Sequence, residues 1–381
     1  MSQQQDPSGN HPSARPESLG PGLGVPAHQP VVGPAGNAAG GAYGAGGYGA
    51  GGYGAVQPAA PPERPGPMPI TPREYQQLPR GLRFAGWRPV VAIVLTVVFA
   101  IGAQLLLMVP LMIYVVAAGL DPMSVIGGMV SGKVDPIAFA YLIAGLASLI
   151  PLSMLANRIA HGIRPRYLSS VVGGFRWGWL ARCLMITLPL FIVYIGLQLL
   201  VDGQTGPKPE GWIALLIMVV IGIPFQSAGE EYAFRGLLMQ NVGAWFANPK
   251  VALIVSMIPS VLLFAAAHGS SDPWIFLDLA IFATASCFLV WRTGGLEASV
   301  ALHLSNNVTI MIGTILFGGW DQAFVSSTSQ GSPLAPVITL VVNAIAVALI
   351  LWQAKRQRIQ RIYRPSGQPS ALGPAAAPTA P

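Results

Sequence analysis

The chain has 381 residues, of which 52% are hydrophobic and 9% are charged, and its formal net charge is +7. Since soluble domains carry about 25% charged residues, this composition excludes an ordinary soluble protein and indicates a polytopic membrane protein. The positive charge does not indicate a nucleic-acid partner, because the basic residues form short clusters between apolar runs rather than one basic module.

Residues 1–80 differ in composition from the rest of the chain. They are rich in Gly, Pro, Ala and Gln, and they contain a repeat around Tyr43, Tyr48 and Tyr53. Such a segment cannot bury enough apolar surface to offset chain entropy, so we expect a disordered tail. Residues 355–381 are first basic and then rich in Pro and Ala, and we expect a second tail there.

Between the tails there are about eight apolar runs, most of them near the roughly 20 residues that a spanning helix needs. They lie near residues 90–118, 137–156, 178–201, 212–230, 250–268, 274–291, 298–318 and 336–354. The sequence therefore predicts an all-α integral membrane protein with about eight transmembrane helices. We expect a first group of spans over residues 85–205, a second group over 210–320 and a last span over 336–354.

Charged residues alternate from loop to loop, as eight spans would require. The basic ones precede the first span, fill the second and sixth loops and follow the last span: Arg80, Arg83, Arg88, Arg158, Arg164, Arg166, Arg176, Arg182, Arg292, Lys355, Arg356, Arg358, Arg361 and Arg364. The intervening loops carry mainly acids. By the positive-inside rule, both termini are predicted to be cytoplasmic.

The fourth apolar run ends in two adjacent acids, Glu230 and Glu231, which Arg235 follows one turn later. Ionisable groups at membrane depth are costly and indicate a functional site by default. On a helix, Glu231 and Arg235 share a face and can pair, whereas Glu230 is rotated by about 100°. One acid would then be neutralised and the other free to act as a base. The alternative is a solvated interfacial cap, with Arg235 reaching the lipid headgroups.

Two further pairs with the helical i, i+4 spacing lie on later apolar runs. Phe264 and His268 share one face, and His303 and Asn307 share another, with Asn306 beside them. Taken singly, a histidine near the end of a span can be interfacial, and an asparagine within a span can bond neighbouring helices. Together with a glutamate base, two imidazoles and an amide are the groups needed to activate water and stabilise an oxyanion.

The three motifs in this order resemble those of the CPBP family, the CAAX-protease-like and bacteriocin-processing intramembrane proteases. They are Glu-Glu-x-x-x-Arg from Glu230, Phe-x-x-x-His from Phe264 and His-x-x-x-Asn from His303, and Gly236 completes the Phe-Arg-Gly ending of the first. The resemblance covers residues 210–318, which would form the protease core. Each motif fixes only two or three positions, but three in order on separate spans form a specific pattern.

The resemblance implies unequal roles for the two acids. Glu230 or Glu231 would deprotonate the attacking water, and the family analogy favours Glu230. Arg235 would orient Glu231 and offset its charge.

The resemblance also implies roles for the residues of the later motifs. His268 would hold or activate the water, while His303 and Asn307 would donate to the oxyanion of the tetrahedral intermediate. These residues and the first motif would together form one hydrolytic site.

Two mechanisms fit the same atoms. Glu230, His268 and His303 could ligate zinc, with the second glutamate as base, or a glutamate could activate water without a metal. The helical His-Glu-x-x-His zinc signature is absent from the sequence, and the three ligands would have to come from three helices. We therefore favour a mechanism without a cofactor and keep zinc as the alternative.

Eight straight and strictly alternating spans would separate these residues. Glu230 and His303 would lie near the cytoplasmic side, and His268 would lie towards the opposite end of its span. Pro259 precedes His268 in the same run, and proline disrupts a helix. A break at Pro259, with a re-entrant or displaced fifth segment, would bring His268 back to the site.

The expected function is that of an intramembrane endopeptidase whose glutamate-activated water hydrolyses a membrane-associated or lipid-modified protein or peptide. Its partners would be membrane lipids and that substrate, with no nucleic acid. The Gly/Pro/Ala-rich tails indicate a bacterial chain, integral to the plasma membrane, in which bacteriocin-leader processing or self-immunity is a fitting role. The alternatives are a non-proteolytic adaptor or immunity protein, or a proton-coupled transporter. The filled motif positions and the lack of an inverted repeat in the sequence favour the enzyme.

Overall fold

The computed structural model describes residues 66–131, 134–202 and 205–365. In these residues the regular structure is helical, and β-pairing is limited to isolated bridges such as the one between Arg73 and Tyr363. The predicted all-α class is therefore confirmed. Of the tails expected over residues 1–80 and 355–381, residues 1–65 and 366–381 lie outside the described part of the chain.

The helices follow one another as α1 (Arg88–Ala117), α2 (Pro122–Ser131), α3 (Pro136–Ala147), α4 (Leu149–His161), α5 (Trp177–Asp202), α6 (Trp212–Glu231), α7 (Met239–Gly243), α8 (Pro249–Ala267), α9 (Pro273–Thr293), α10 (Glu297–Phe317) and α11 (Leu334–Arg356). A π-helical segment, Tyr232–Leu238, joins α6 to α7. Short 3-10 helices form at Tyr75–Gln77, Pro165–Leu168 and Trp320–Ala323.

Eight helical stretches of the described chain are long and apolar enough to cross a membrane, which confirms the predicted count. The second of them combines α3 and α4, and the fourth runs from α6 through the π-helical segment to the end of α7. Large apolar side chains such as Leu105, Leu200 and Val220 are exposed on these helices. Exposed apolar surface of this extent is the expected lipid contact of an integral membrane protein.

Three of the spans begin with the same local signal. Asp135, Asn248 and Asp272 each accept hydrogen bonds from backbone N–H groups of the first turn, and a proline follows each as the first helical residue. The side-chain oxygen satisfies donors that have no partner within the helix, and proline needs no such partner. These signals fix the start of α3, α8 and α9 in the sequence.

The fourth span is longer than the expected run of residues 212–230. It extends from Trp212 to Gly243, so the expectation that Glu230 lies at the end of its span was wrong. Gly243 is the thirteenth residue after Glu230, which corresponds to roughly 20 Å along a helix. The helix continues past the acids because Glu231 and Arg235 are paired and fully buried within the protein.

The proposed break at Pro259 was also wrong. Residues Pro249–Ala267 form one α-helix with Pro259 inside it, and His268 directly follows its last residue. The extended fourth span, rather than a re-entrant fifth segment, accounts for the meeting of the motifs. Glu230 lies inside this span and not at its end, and Phe264 of α8 contacts both Arg235 and His303.

The segment before the first span packs against the segment after the last span. The expected tails, 1–80 and 355–381, were therefore too long, because the parts nearest the helices belong to the folded structure. Tyr75 is fully buried and donates its hydroxyl hydrogen to the carbonyl oxygen of Leu168 at 2.5 Å. Arg73 exchanges two backbone hydrogen bonds with Tyr363. Composition alone did not reveal these contacts, because they join residues far apart in the sequence.

The most enclosed of the eight spans is α10, which packs against α5, α6 and α9. Its first half is buried almost continuously from Glu297 to Ser305. His303 therefore lies in the interior of the helix bundle, opposite the end of α6.

Candidate active site

Glu231 and Arg235 form a fully buried ion pair across one helical turn. The Nη1 atom of Arg235 lies 3.1 Å from Oε1 of Glu231, and both side chains have 0% exposure. The guanidinium also lies over the ring of Phe264, at 4.1 Å from its centroid, a favourable cation–π geometry. The expected pairing is present, and the alternative of Arg235 reaching the lipid headgroups does not agree with its burial.

His303 lies between the two acids. Its Nδ1 atom is 2.9 Å from Oε1 of Glu231, and its Nε2 atom is 3.6 Å from Oε2 of Glu230. The rings of Phe264 and Phe282 pack edge-on against the imidazole, with centroids 5.7 and 5.3 Å away. An ionised carboxylate only accepts hydrogen bonds, so ionised Glu231 holds a proton at Nδ1 and directs Nε2 towards Glu230.

Glu230 is the acid that reaches the cavity between the helices. Its Oε1 atom accepts a hydrogen bond from the side-chain amide of Gln226, one turn earlier on α6, and its Oε2 atom faces His303. The residue before it is Gly229, where a Cβ atom would collide with the carbonyl oxygen of Leu146 on α3. Glycine at this position lets α6 approach α3 closely and thereby places Glu230 in the interior.

An amide network adjoins Glu230 on α6 and α10. The Nδ2 atom of Asn307 lies 3.4 Å from Oε1 of Gln226 and 3.5 Å from the hydroxyl of Ser227. The amide of Asn306 donates to Oδ1 of Asn307 at 3.0 Å. The distances from Asn307 are long for hydrogen bonds, so its N–H groups are available to a bound molecule.

His268 lies on the same cavity but is not within hydrogen-bond distance of the acids. Its Nδ1 atom is 2.8 Å from the backbone carbonyl oxygen of Phe264, to which it donates, so Nε2 is left as the free ring nitrogen. The Phe264 ring contacts both imidazoles, at 4.8 Å from His268 and 5.7 Å from His303. Phe264, the first residue of the second motif, thus packs between His268 of the same motif and His303 of the third motif.

A cavity of about 580 Å³ joins these groups. Residues from α2 to α6, from the π-helical segment and from α8 to α11 line it. The polar or ionisable ones are Tyr194, Gln226, Glu230, His268, Asp278, His303, Asn306, Asn307, Thr339 and Asn343. Glu231 and Arg235 do not line it; they lie behind His303.

Sequence reasoning missed Gln226, Ser227, Asp278 and Asn343. Gln226 had a signal, since it precedes Glu230 by four residues and shares its helical face. Asp278 and Asn343 are single polar residues within apolar runs, and nothing in the sequence shows that they line the same cavity as the glutamates.

The three donors considered for zinc, Glu230, His268 and His303, do not form a converging set. In residues 66–131, 134–202 and 205–365, no group of three His, Cys, Asp or Glu side chains is placed to hold a metal ion. Glu230 and His303 are close to each other, whereas no hydrogen bond joins His268 to either of them in the described part of the chain. The described side chains therefore do not form a preassembled tetrahedral zinc site.

Residues 209–309 match the family model described as Rce1-like, type II CAAX prenyl endopeptidase Rce1-like. This segment contains every residue of the three motifs, and the resemblance predicted from them is confirmed. The chain is also similar to the uncharacterized protein YyaK of Bacillus subtilis (strain 168), with 28% identity over 154 residues. That similarity covers 39% of this chain and 51% of YyaK, so the chain spans about half the length of this relative. No solved structure matches the chain significantly.

Proposed function

We propose that this protein is an intramembrane endopeptidase in which Glu230 is the general base that activates water. The observation that carries the proposal is the position of His303, held by Glu231 through one ring nitrogen and facing Glu230 with the other. An acid, an imidazole and the amide of Asn307 then line one cavity. The match to a CAAX-type peptidase family supports hydrolysis of a peptide bond as the reaction.

In the proposed reaction, Glu230 removes a proton from a water molecule while the oxygen attacks the carbonyl carbon of the scissile bond. The amide of Asn307 and the Nε2 atom of His303 donate to the oxygen that becomes negative, a role that requires hydrogen on both ring nitrogens of His303. His268 orients the water through its free ring nitrogen. Collapse of the tetrahedral intermediate breaks the C–N bond, and protonated Glu230 returns the proton to the leaving amine.

Glu231 and Arg235 act on this site through His303. Since Glu231 accepts from Nδ1, the ring cannot rotate without losing that hydrogen bond. Arg235 compensates the charge of Glu231 in a region from which water is excluded. We therefore propose that these two are positioning residues and that Glu230 alone is the base.

We propose a mechanism without a metal ion. The support is that, among the described residues, no three His, Cys, Asp or Glu side chains are placed to hold one metal ion. A chelator added to the reconstituted protein separates this mechanism from a zinc-dependent one. The proposal expects cleavage to continue in the chelator.

We propose that both termini are cytoplasmic and that the protein lies in a bacterial plasma membrane. Contacts between the basic segments support their lying on one side. Arg80 donates to the carbonyl oxygen of Ala244, Arg88 to that of Ala160, and Arg361 pairs with Glu74. With one basic end of the bundle, the positive-inside rule assigns that end to the cytoplasm.

The substrate class that fits best is a membrane-associated or lipid-modified peptide. Most of the residues that line the cavity are apolar, among them Leu142, Ile223, Phe282 and Ile310. Such walls bury the apolar parts of a substrate, and the few polar groups fix its orientation.

The test uses the full chain in lipid nanodiscs with an unbiased peptide library, and mass spectrometry of the products. Wild type is compared with Glu230→Ala and His303→Ala, and with Glu210→Ala as a control, since Glu210 is an exposed acid outside the cavity. The proposal expects cleavage by wild type and the control and none by the other two. Unaltered cleavage by both site variants, or no cleavage of any peptide by wild type, would contradict it and leave an adaptor or a transporter.

A further inference from the structure

Asp278 is a second acid on the cavity and takes no part in the reaction described above. It lies in the second turn of α9, inside a membrane span, and lines the same cavity as Glu230. An ionisable residue at such a position is costly and indicates a functional site by default. The hydroxyl of Thr339 on α11 interacts with this carboxylate, but its Oδ1 atom is buried and has no hydrogen-bond donor in the described part of the chain.

Asn343 supplies a second unmatched acceptor, and it is linked to Asp278 through Thr339. It lies on α11, which packs against α9, and its exposure is 3%. Its Nδ2 atom donates to the backbone carbonyl of Thr339 at 2.8 Å. Its Oδ1 atom is buried and, in the described residues, lacks a donor. Both Asn343 and Asp278 line the cavity.

Buried acceptors without donors are unfavourable, so this wall is complementary to a molecule that brings N–H groups. The charges of the lining residues also favour a cationic group. Glu230 and Asp278 both line the cavity, and none of its lining residues is a lysine or an arginine. Apolar side chains such as Leu279 and Val342 line the same cavity and suit the aliphatic stem of a long basic side chain.

We propose that Asp278 and Asn343 form a subsite that binds the lysine or arginine side chain of the substrate peptide. This inference rests on the proposed peptidase function and assigns a specificity to it. The subsite lies on α9 and α11, whereas the base and the oxyanion donors lie on α6 and α10. It therefore fixes how far the basic residue stands from the scissile bond.

The first arm measures cleavage by the full chain in nanodiscs of phosphatidylglycerol. A cleaved peptide is resynthesised with lysine or its uncharged counterpart norleucine at each position in turn. We expect one position where lysine raises kcat/KM by about tenfold, the effect of one charge-assisted hydrogen bond. In Asp278→Asn and in Asn343→Leu, the ratio of kcat/KM for the lysine peptide to kcat/KM for the norleucine peptide should fall towards one. The control Asp321→Asn, at an exposed acid, should keep the ratio of wild type.

The second arm measures binding and does not depend on cleavage. A dansylated apolar peptide with one central lysine, and its norleucine counterpart, are titrated onto Glu230→Gln protein with and without Asp278→Asn. Tighter binding of the lysine peptide, lost with Asp278→Asn, supports the subsite even if no cleaved peptide is found. Equal binding of both peptides overturns it, as does a lysine preference that persists in Asp278→Asn.

The ammonium group of a lipid has the same chemistry as lysine. Nanodiscs that contain phosphatidylethanolamine therefore serve as a third condition. The subsite proposed here keeps its lysine preference in them. Loss of the preference through competition by that lipid would identify a headgroup site and overturn the assignment to the substrate.

Discussion

The Nδ1 atom of His303 lies 2.9 Å from the Oε1 atom of Glu231. The same oxygen accepts from Arg235 at 3.1 Å, and the guanidinium rests on the Phe264 ring. His303 and Arg235 therefore both bind the same oxygen of Glu231, the second acid of the motif. Glu231 itself does not line the cavity. The first acid, Glu230, is the one left to face a substrate.

The buried pair of Glu231 and Arg235 predicts a stability effect that depends on which partner is removed. In Glu231→Leu the guanidinium stays buried without its carboxylate, which should lower the free energy of unfolding by about 3–5 kcal/mol. Replacing both groups, in Glu231→Leu with Arg235→Met, should recover most of that loss. Reversible unfolding in detergent micelles measures both values.

The double variant should nevertheless remain poorly active. His303 has then lost the acceptor that orients its ring, although the fold is restored. If the single variant were as stable as wild type, the ion pair would have no structural role. Full activity of the double variant would exclude the positioning role of Glu231.

Asn307 should contribute to the rate through its side-chain N–H groups. Asn307→Ala is expected to lower kcat by about 10²- to 10³-fold, the usual effect of removing one oxyanion donor. Asn307→Asp keeps the shape but replaces the donor with an acceptor, so its loss should be at least as large. Steady-state kinetics on one peptide decide this, and a change confined to KM would assign Asn307 to binding instead.

Tyr75 predicts a dependence of stability on alkaline pH. Burial, reinforced by the nearby Tyr232 and Glu297, raises the pKa of Tyr75 well above its ordinary value of 10.0. In the unfolded chain the phenol ionises near pH 10, whereas in the folded protein it stays protonated. The raised pKa therefore stabilises the fold fully below about pH 10, and this contribution is lost as the pH rises towards the folded pKa.

Tyr75→Phe removes that contribution together with the hydrogen bond to Leu168. At neutral pH this substitution should lower the free energy of unfolding by about 1 kcal/mol. Above pH 10 the free energy of unfolding of the variant should fall less steeply with pH than that of wild type. Tyr114→Phe, at an exposed position, serves as the matched control. An unchanged alkaline slope in Tyr75→Phe would show that another group causes the loss.

The apolar runs predicted the helices well because the length of a run and its boundaries are local properties. The fourth span is the case in which the apolar run did not predict the end of the helix. Its run stops at Glu230, but pairing of Glu231 with Arg235 lets the helix continue to Gly243. Tyr75 was similarly assigned to a tail, because its partner Leu168 is distant in the sequence.

The site was predicted only in part. The i, i+4 spacing gave the pairing of Glu231 with Arg235, and the order of three motifs gave the family resemblance. Contacts between helices, such as those of His303 with both acids, are not encoded in any spacing. For the same reason Asp278 and Asn343 were not found, and the catalytic roles remain predictions.

The central claim is that Glu230 is the base, and the rate of Glu230→Gln tests it most directly. The substitution keeps the size of the side chain and its acceptor for Gln226, and removes the proton-accepting carboxylate. An unfolding measurement first establishes that the variant is folded. Its rate of cleavage of one defined peptide in nanodiscs should then be about 10²- to 10⁴-fold lower than that of wild type. A rate within a few-fold of wild type, at equal folded protein, would contradict the account.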